Sequence, residues 1–219
     1  MNVLNKNIKN IFFIFVLSHL IIWTVIPSVT NKNLPLDVIE ALAWGSNLDW
    51  GFSKHPPGSA FFPEVFFQIF GAQDWAFYLL SSIFVVIAFY YVFKLANEIL
   101  VSAKLSLISV LILESIFFYN FTSPEFNVNV CQLPFWSLVG FFSWKIYNSK
   151  KIKFIDCFLL GLFGAIGFLS KYLFVYLLIS ISLLFIYFVF IKKNKKFDFK
   201  YLITIEVFIV LLIPHLIWL

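Results

Sequence analysis

IFFIFVLSHLIIWTVIPSV, residues 11–29, contains no Asp, Glu, Lys or Arg and follows Lys6 and Lys9. At 1.5 Å rise per residue a helix of this length spans about 28 Å, which matches a hydrocarbon core of ~30 Å. The stretch lacks a small-x-small cleavage site, so it reads as an uncleaved signal anchor with its N-terminus in the cytoplasm. The same apolar character recurs near 75–96, 104–121, 126–146, 154–170, 172–191 and 201–219, which predicts seven spans. Composition agrees: 62% of residues are hydrophobic and 12% charged, whereas about a quarter are charged in soluble domains. The mean hydropathy is +0.95. The fold class is therefore all-α integral membrane, a polytopic helical bundle.

The net charge of +5 rests on 16 basic residues, all of them Lys. They fall in short clusters between apolar runs, as topology signals do, and this argues against nucleic acid as a partner. With the N-terminus inside, only Lys32, Lys54 and Lys171 face outward. Asp37, Glu40, Asp49, Glu64, Asp74 and Glu125 also fall outside, so chemistry is expected at the outer face. Cys131 and Cys157 lie in apolar segments and read as small hydrophobes, with no disulfide or metal spacing.

Residues 30–74 form the longest non-spanning segment, and aromatics interleave its charges, among them Trp44 and Trp50. DVIEALAW, residues 37–44, suits a short amphipathic helix after Pro35, lying on the membrane surface. Asp37 and Glu40 are three apart and share one face of it. DWGFSKHPPGSAFF, residues 49–62, brings Lys54 and His55 to a Pro-Pro turn. GSAFFPEVFFQIF, residues 58–70, then predicts an interfacial or re-entrant helix broken at Pro63.

LPLDVIEALAWG, LDWGFSKHPPGSAFF, GAQDWAFYLLS, TSPEFNVNVCQLPFW, GLFGAIGFLSKY and IPHLIWL resemble, in that order, the bacterial polyprenyl-phosphate-dependent GT-C glycosyltransferases. That group includes protein O-mannosyltransferases and the aminoarabinose transferases that modify lipid A. The resemblance implies a GT-C bundle of about seven transmembrane helices, with short interfacial helices in the outer loop at 30–74. Residues 1–219 then read as a single membrane domain, the conserved N-terminal module, with the family's C-terminal half absent. It further implies an acidic residue of the first outer loop beside a polyprenyl-phosphate-sugar donor, and here that residue is Asp37. A positioned carboxylate suits the job, because an acceptor hydroxyl must lose its proton as it attacks the anomeric carbon. Direct displacement inverts the configuration. Glu40 is the partner carboxylate. A Lys before the Pro motif contacts the donor phosphate in the aminoarabinose transferases; His55 holds that place here and Lys54 precedes it, and both stand as phosphate contacts. Lys171, in LSKY, is a third. Relatives commonly carry an Asp seven residues before the Trp of the fourth helix, where this chain has Asn129 before Trp136. Glu125 is the candidate replacement.

Other residues carry lesser expectations. Glu114 lies inside a span, where an ionisable group is costly and marks a functional hypothesis, so it is expected to line a cavity with Glu125, Asn129, Trp44 and Trp50. His19, Glu206 and His215 suit helix packing. Paired carboxylates such as Asp37 and Glu40 can hold a divalent ion, Mg or Mn. The expected partners are the lipid-linked donor, membrane lipids and a lipid, protein or glycan acceptor. The rival reading is a non-catalytic membrane protein, either a component of a lipid-linked-sugar transporter or flippase or a structural subunit.

Overall fold

The computed structural model describes residues 2–219, with side chains from Lys6 onward, and there the chain is helical without strands. Its α-helices are α1 (Asn2–Thr30), α2 (Leu36–Gly45), α3 (Gly58–Phe70), α4 (Asp74–Leu100), α5 (Ala103–Glu114), α6 (Val128–Asn148), α7 (Phe154–Ser170), α8 (Val175–Ile186) and α9 (Tyr201–Trp218). Four stretches are long and apolar enough to cross a membrane: Lys6–Thr30, Asp74–Leu100, Tyr172–Ile191 and Tyr201–Trp218. Against an expectation of seven, α6 has the length but is diluted by Asn129, Gln132, Ser137, Ser143 and Lys145. α7 is apolar but has 17 residues. α5 has only 12, although the sequence predicts a span to 121. It stops because Ile116 turns extended and the Asn120 amide donates to the Glu114 carbonyl, closing the last turn from outside the helix.

The long helices reverse at each connection. Phe12 stacks on Phe93 and Thr24 reaches Ser82, so α1 and α4 are antiparallel. Phe84 meets Phe135 and Tyr91 meets Phe141, which makes α4 and α6 parallel. Lys145 pairs with Asp156 at 2.7 Å while Cys131 reaches Ser170, so α7 returns against α6. One end of the bundle consequently gathers most of the lysines. The other gathers α2, α3, the start of α6 and the ends of α7 and α9.

Lipid chains give helices little hydrophobic reason to associate, so close packing and interhelical bonds carry the assembly. Gly161, Gly164 and Gly167 form a three-residue stripe on α7 for this purpose. A Cβ at Gly161 would stand 2.5 Å from the Thr204 carbonyl, and one at Gly167 would stand 2.5 Å from the Phe174 ring. Thr204 adds an interhelical bond to the Cys157 carbonyl at 3.0 Å. Phe77, Phe84, Phe126, Phe135 and Phe174 fill the core between α4, α6 and the turn before α8. Apolar side chains exposed on α1, α8 and α9 suit contact with lipid.

Both short helices of the first loop form as the sequence predicts, but Pro63 does not break α3. It deprives the helix of one bond, to Ser59, one turn in. The buried packing of Ala60 and Glu64 against α2 outweighs that loss: a Cβ at Gly45 would lie 2.7 Å from the Ala60 carbonyl.

Candidate functional site

Asp37 sits in the first turn of α2, whose N-cap is Pro35 and supplies no capping side chain. The cap comes from a distant segment instead: the Asp37 N–H donates to Glu125 Oε1 at 3.4 Å. A carboxylate there satisfies an orphan donor and meets the positive end of the helix. The Asp37 side chain is held separately, since Asn127 Nδ2 donates to Oδ2 at 3.2 Å. Asn127 meanwhile caps α6, its Oδ1 accepting from the N–H groups of Asn129 and Val130 at 2.9 and 3.2 Å. One amide thus fixes the start of α6 and aims Asp37. Sequence reasoning passed over Asn127. The signal was available as an Asn directly before the apolar run VNVCQLPF, a capping position. Asn127→Ala removes the cap, worth about 1 kcal/mol, and releases Asp37. The expected result is a thermal midpoint lower by a few degrees together with slower turnover, read by scanning fluorimetry and a transfer assay.

Asp37, Glu40, Trp44, His55, Ser59 and Asn127 line one cleft. Lys54 Nζ lies 2.6 Å from Glu40 Oε1 and 5.8 Å from the Trp44 ring. That pair is largely exposed and contributes little to stability. Trp44 also stacks on Phe52 and takes the edge of His55. Burial holds the His55 imidazole below its ordinary value; Glu40 and Asp37 pull it up, and Lys54 and Lys171 push it down. His55 is therefore neutral at pH 7 and offers a hydrogen bond rather than a charge. Between pH 6.5 and the lower folded value, the unfolded chain binds a proton that the folded chain refuses. Stability accordingly falls as pH drops through that window. Melting curves from about pH 7.5 to 5.5, which bracket the ordinary imidazole range, should show wild type losing more than His55→Gln; equal losses would mean that His55 is not the responsible group.

Lys171 follows α7 directly and donates to Asn129 Oδ1. Asn129 and Glu125 line a second pocket of about 420 Å³ with Ile116, Phe118, Tyr119 and Gln132. Asn127 lines both pockets, and Asp37, which lines the first, is bonded to it. Trp50 lies in neither: its ring packs on Phe61 and its carbonyl accepts from His215 Nδ1. His215 Nε2 is 3.0 Å from the Tyr172 hydroxyl. Because a carbonyl only accepts, His215 Nδ1 donates in the bond to Trp50. The fully buried His215 thus ties α9 to the loop before Lys54. Glu114 also lies outside both pockets. It pairs with His19 of α1 at 3.2 Å, as a packing contact between helices.

Residues 54–218, about three quarters of the chain, match the family described as dolichyl-phosphate-mannose-protein mannosyltransferase. The chain belongs to that family. It is a membrane glycosyltransferase of the GT-C type. No curated protein and no solved structure matches it. The mannosyltransferase-family match takes in His55, Ser59, Lys171 and the start of α6, and begins just after α2. As for a divalent ion, no three His, Cys, Asp or Glu side chains converge to hold one among the described residues. Asp37 faces the Asn127 amide and Glu40 is engaged by Lys54. A cation between these carboxylates has to displace the Lys54 ammonium first.

Proposed function

We propose that this glycosyltransferase moves one sugar from a polyprenyl-phosphate donor to an acceptor at the outer face of the cytoplasmic membrane, inverting the anomeric configuration. The observation that carries this is the placement of Asp37. It is a carboxylate of the cleft held by Asn127, which lines both pockets, with Lys54, His55 and Lys171 nearby. Asp37 takes the proton of the acceptor hydroxyl as that oxygen attacks the anomeric carbon. The carbon–oxygen bond to the lipid phosphate breaks on the opposite side, and the phosphate leaves with the electron pair. Glu40 orients Lys54 through their ion pair. Lys54 and Lys171 supply positive charge, and His55 a neutral N–H, toward the leaving phosphate. The acceptor is a lipid, a protein or a glycan.

The membrane orientation in this reading follows the lysines, whose clusters collect at the end of the bundle away from the cleft. Seven helices alternating along the bundle then pass through the bilayer or most of it, with α2 and α3 at the outer interface. A transporter would gather polar groups at the membrane midplane around broken helices; here most of them gather at one end.

The test is incubation of the protein in nanodiscs with radiolabelled polyprenyl-phosphate sugars and a mixture of envelope acceptors. Label is expected to move to an acceptor, with the anomeric configuration inverted. Retention of configuration would remove the single-displacement mechanism. Donor retained without any transfer would favour a binding subunit.

A further inference from the structure

We infer that the N-terminus of α3, together with the Ser59 hydroxyl, is a phosphate-binding subsite of the cleft. The identity of the lipid on that phosphate rests on the donor reading above; the anion site itself does not.

Pro56 and Pro57 precede α3 and have no N–H to offer. The Pro57 carbonyl accepts from the N–H groups of Ala60 and Phe61, both at 3.0 Å. This leaves the amides of Gly58 and Ser59 as first-turn donors without an acceptor among the described residues. α3 has 13 residues, enough to carry a positive N-terminal end. Such an end binds anions through free N–H groups. The independent observation is Ser59. Its side chain lines the cleft, the residue is 2% exposed, and its Oγ has no hydrogen-bond partner. Buried hydroxyls are almost always paired, so an unpaired one facing a cleft points to a partner that comes and goes.

The cations that face the phosphate in this reading also hold protein partners. Lys54 is held by Glu40, Lys171 by Asn129, and His55 carries no charge at neutral pH. The α3 N-terminus adds a further electropositive element on its Ser59 side, its Gly58 side being packed against the end of α7. Asp37 and Glu40 line the same cleft, and their negative charge favours an anion of low charge, such as the phosphodiester of a lipid-linked sugar, over a diphosphate.

The probes are a short-chain polyprenyl phosphate, the polyprenol of equal length, and inorganic phosphate, each titrated against the protein in nanodiscs. Ser59→Ala is expected to weaken polyprenyl-phosphate binding about tenfold, as loss of one hydrogen bond to a charged group does, with polyprenol binding unchanged. Ser59→Asp is expected to abolish phosphate-dependent binding. Because Ser59 is buried beside Asp37 and Glu40, the added carboxylate also costs stability, so binding is read below the variant's own melting temperature and Ser59→Ala carries the test if Ser59→Asp does not fold. Equal binding of polyprenyl phosphate by wild type and Ser59→Ala overturns the subsite and leaves the donor reading standing. Ser59-dependent binding of inorganic phosphate, without discrimination between polyprenyl phosphate and polyprenol, supports the anion site and removes the donor reading. A wild type that responds to neither phosphate overturns the subsite.

Discussion

Asp37→Asn is expected to lower the turnover of sugar transfer by about 10²- to 10⁴-fold, the range that one positioned general base supplies. The amide keeps the volume of the carboxylate and leaves the α2 cap intact, because that cap is made by the Asp37 backbone N–H to Glu125. Folding and donor affinity should therefore stay near wild type, and the loss should fall on kcat. An equal fall in donor affinity would instead give Asp37 a binding role. Turnover at the wild-type rate would remove it from the mechanism. Asn127 still has a partner after the substitution. Its Nδ2 then faces either the oxygen or the nitrogen of the new side-chain amide, and only the oxygen keeps the bond.

Gly58→Val should have the second largest effect, and for a reason of space rather than chemistry. A Cβ at this position would lie 2.8 Å from the Leu169 carbonyl oxygen and 3.2 Å from the Ser170 Cα. These are backbone atoms at the end of a packed helix and cannot rotate away. Overpacking of this kind costs about 1–3 kcal/mol, so the thermal midpoint should fall by several degrees. The functional consequence is larger, because the contact seats the His55-Pro56-Pro57 turn against the end of α7, where Lys171 begins. Forcing them apart moves Ser59 and His55 on one side and Lys171 on the other. Donor binding should drop by more than the stability loss explains, which a titration below the melting temperature would show. Unchanged binding would mean that α3 and α7 adjust independently of the site.

Much of this was legible in the chain itself. The apolar runs located the long helices, though α1 begins nine residues before its run, because side chains that face lipid must be apolar while the helix satisfies its own backbone. Asp37 and Glu40 on one face, the turn at Pro56-Pro57 and the Lys asymmetry were equally readable, since each depends only on local spacing. Failures came where a distant residue decided the outcome. Pro63 reads as a helix breaker, yet packing of α3 on α2 keeps the helix whole. Glu114 reads as a cavity group, yet its partner is His19, 95 positions away. Trp50 reads as a cavity-lining residue, yet its ring is set against Phe61.

The sequence alone determined that the protein is a helical membrane bundle with a charge-rich first loop, because hydropathy, helix period and charge placement are properties of neighbouring residues. Only the tertiary structure decided what that chemistry faces. It brought Asn127 and Glu125 to Asp37 across about ninety residues, paired Lys54 with Glu40, and left the Ser59 hydroxyl without a partner. Contacts of that separation are set by how whole helices pack, and no local pattern in the chain records them.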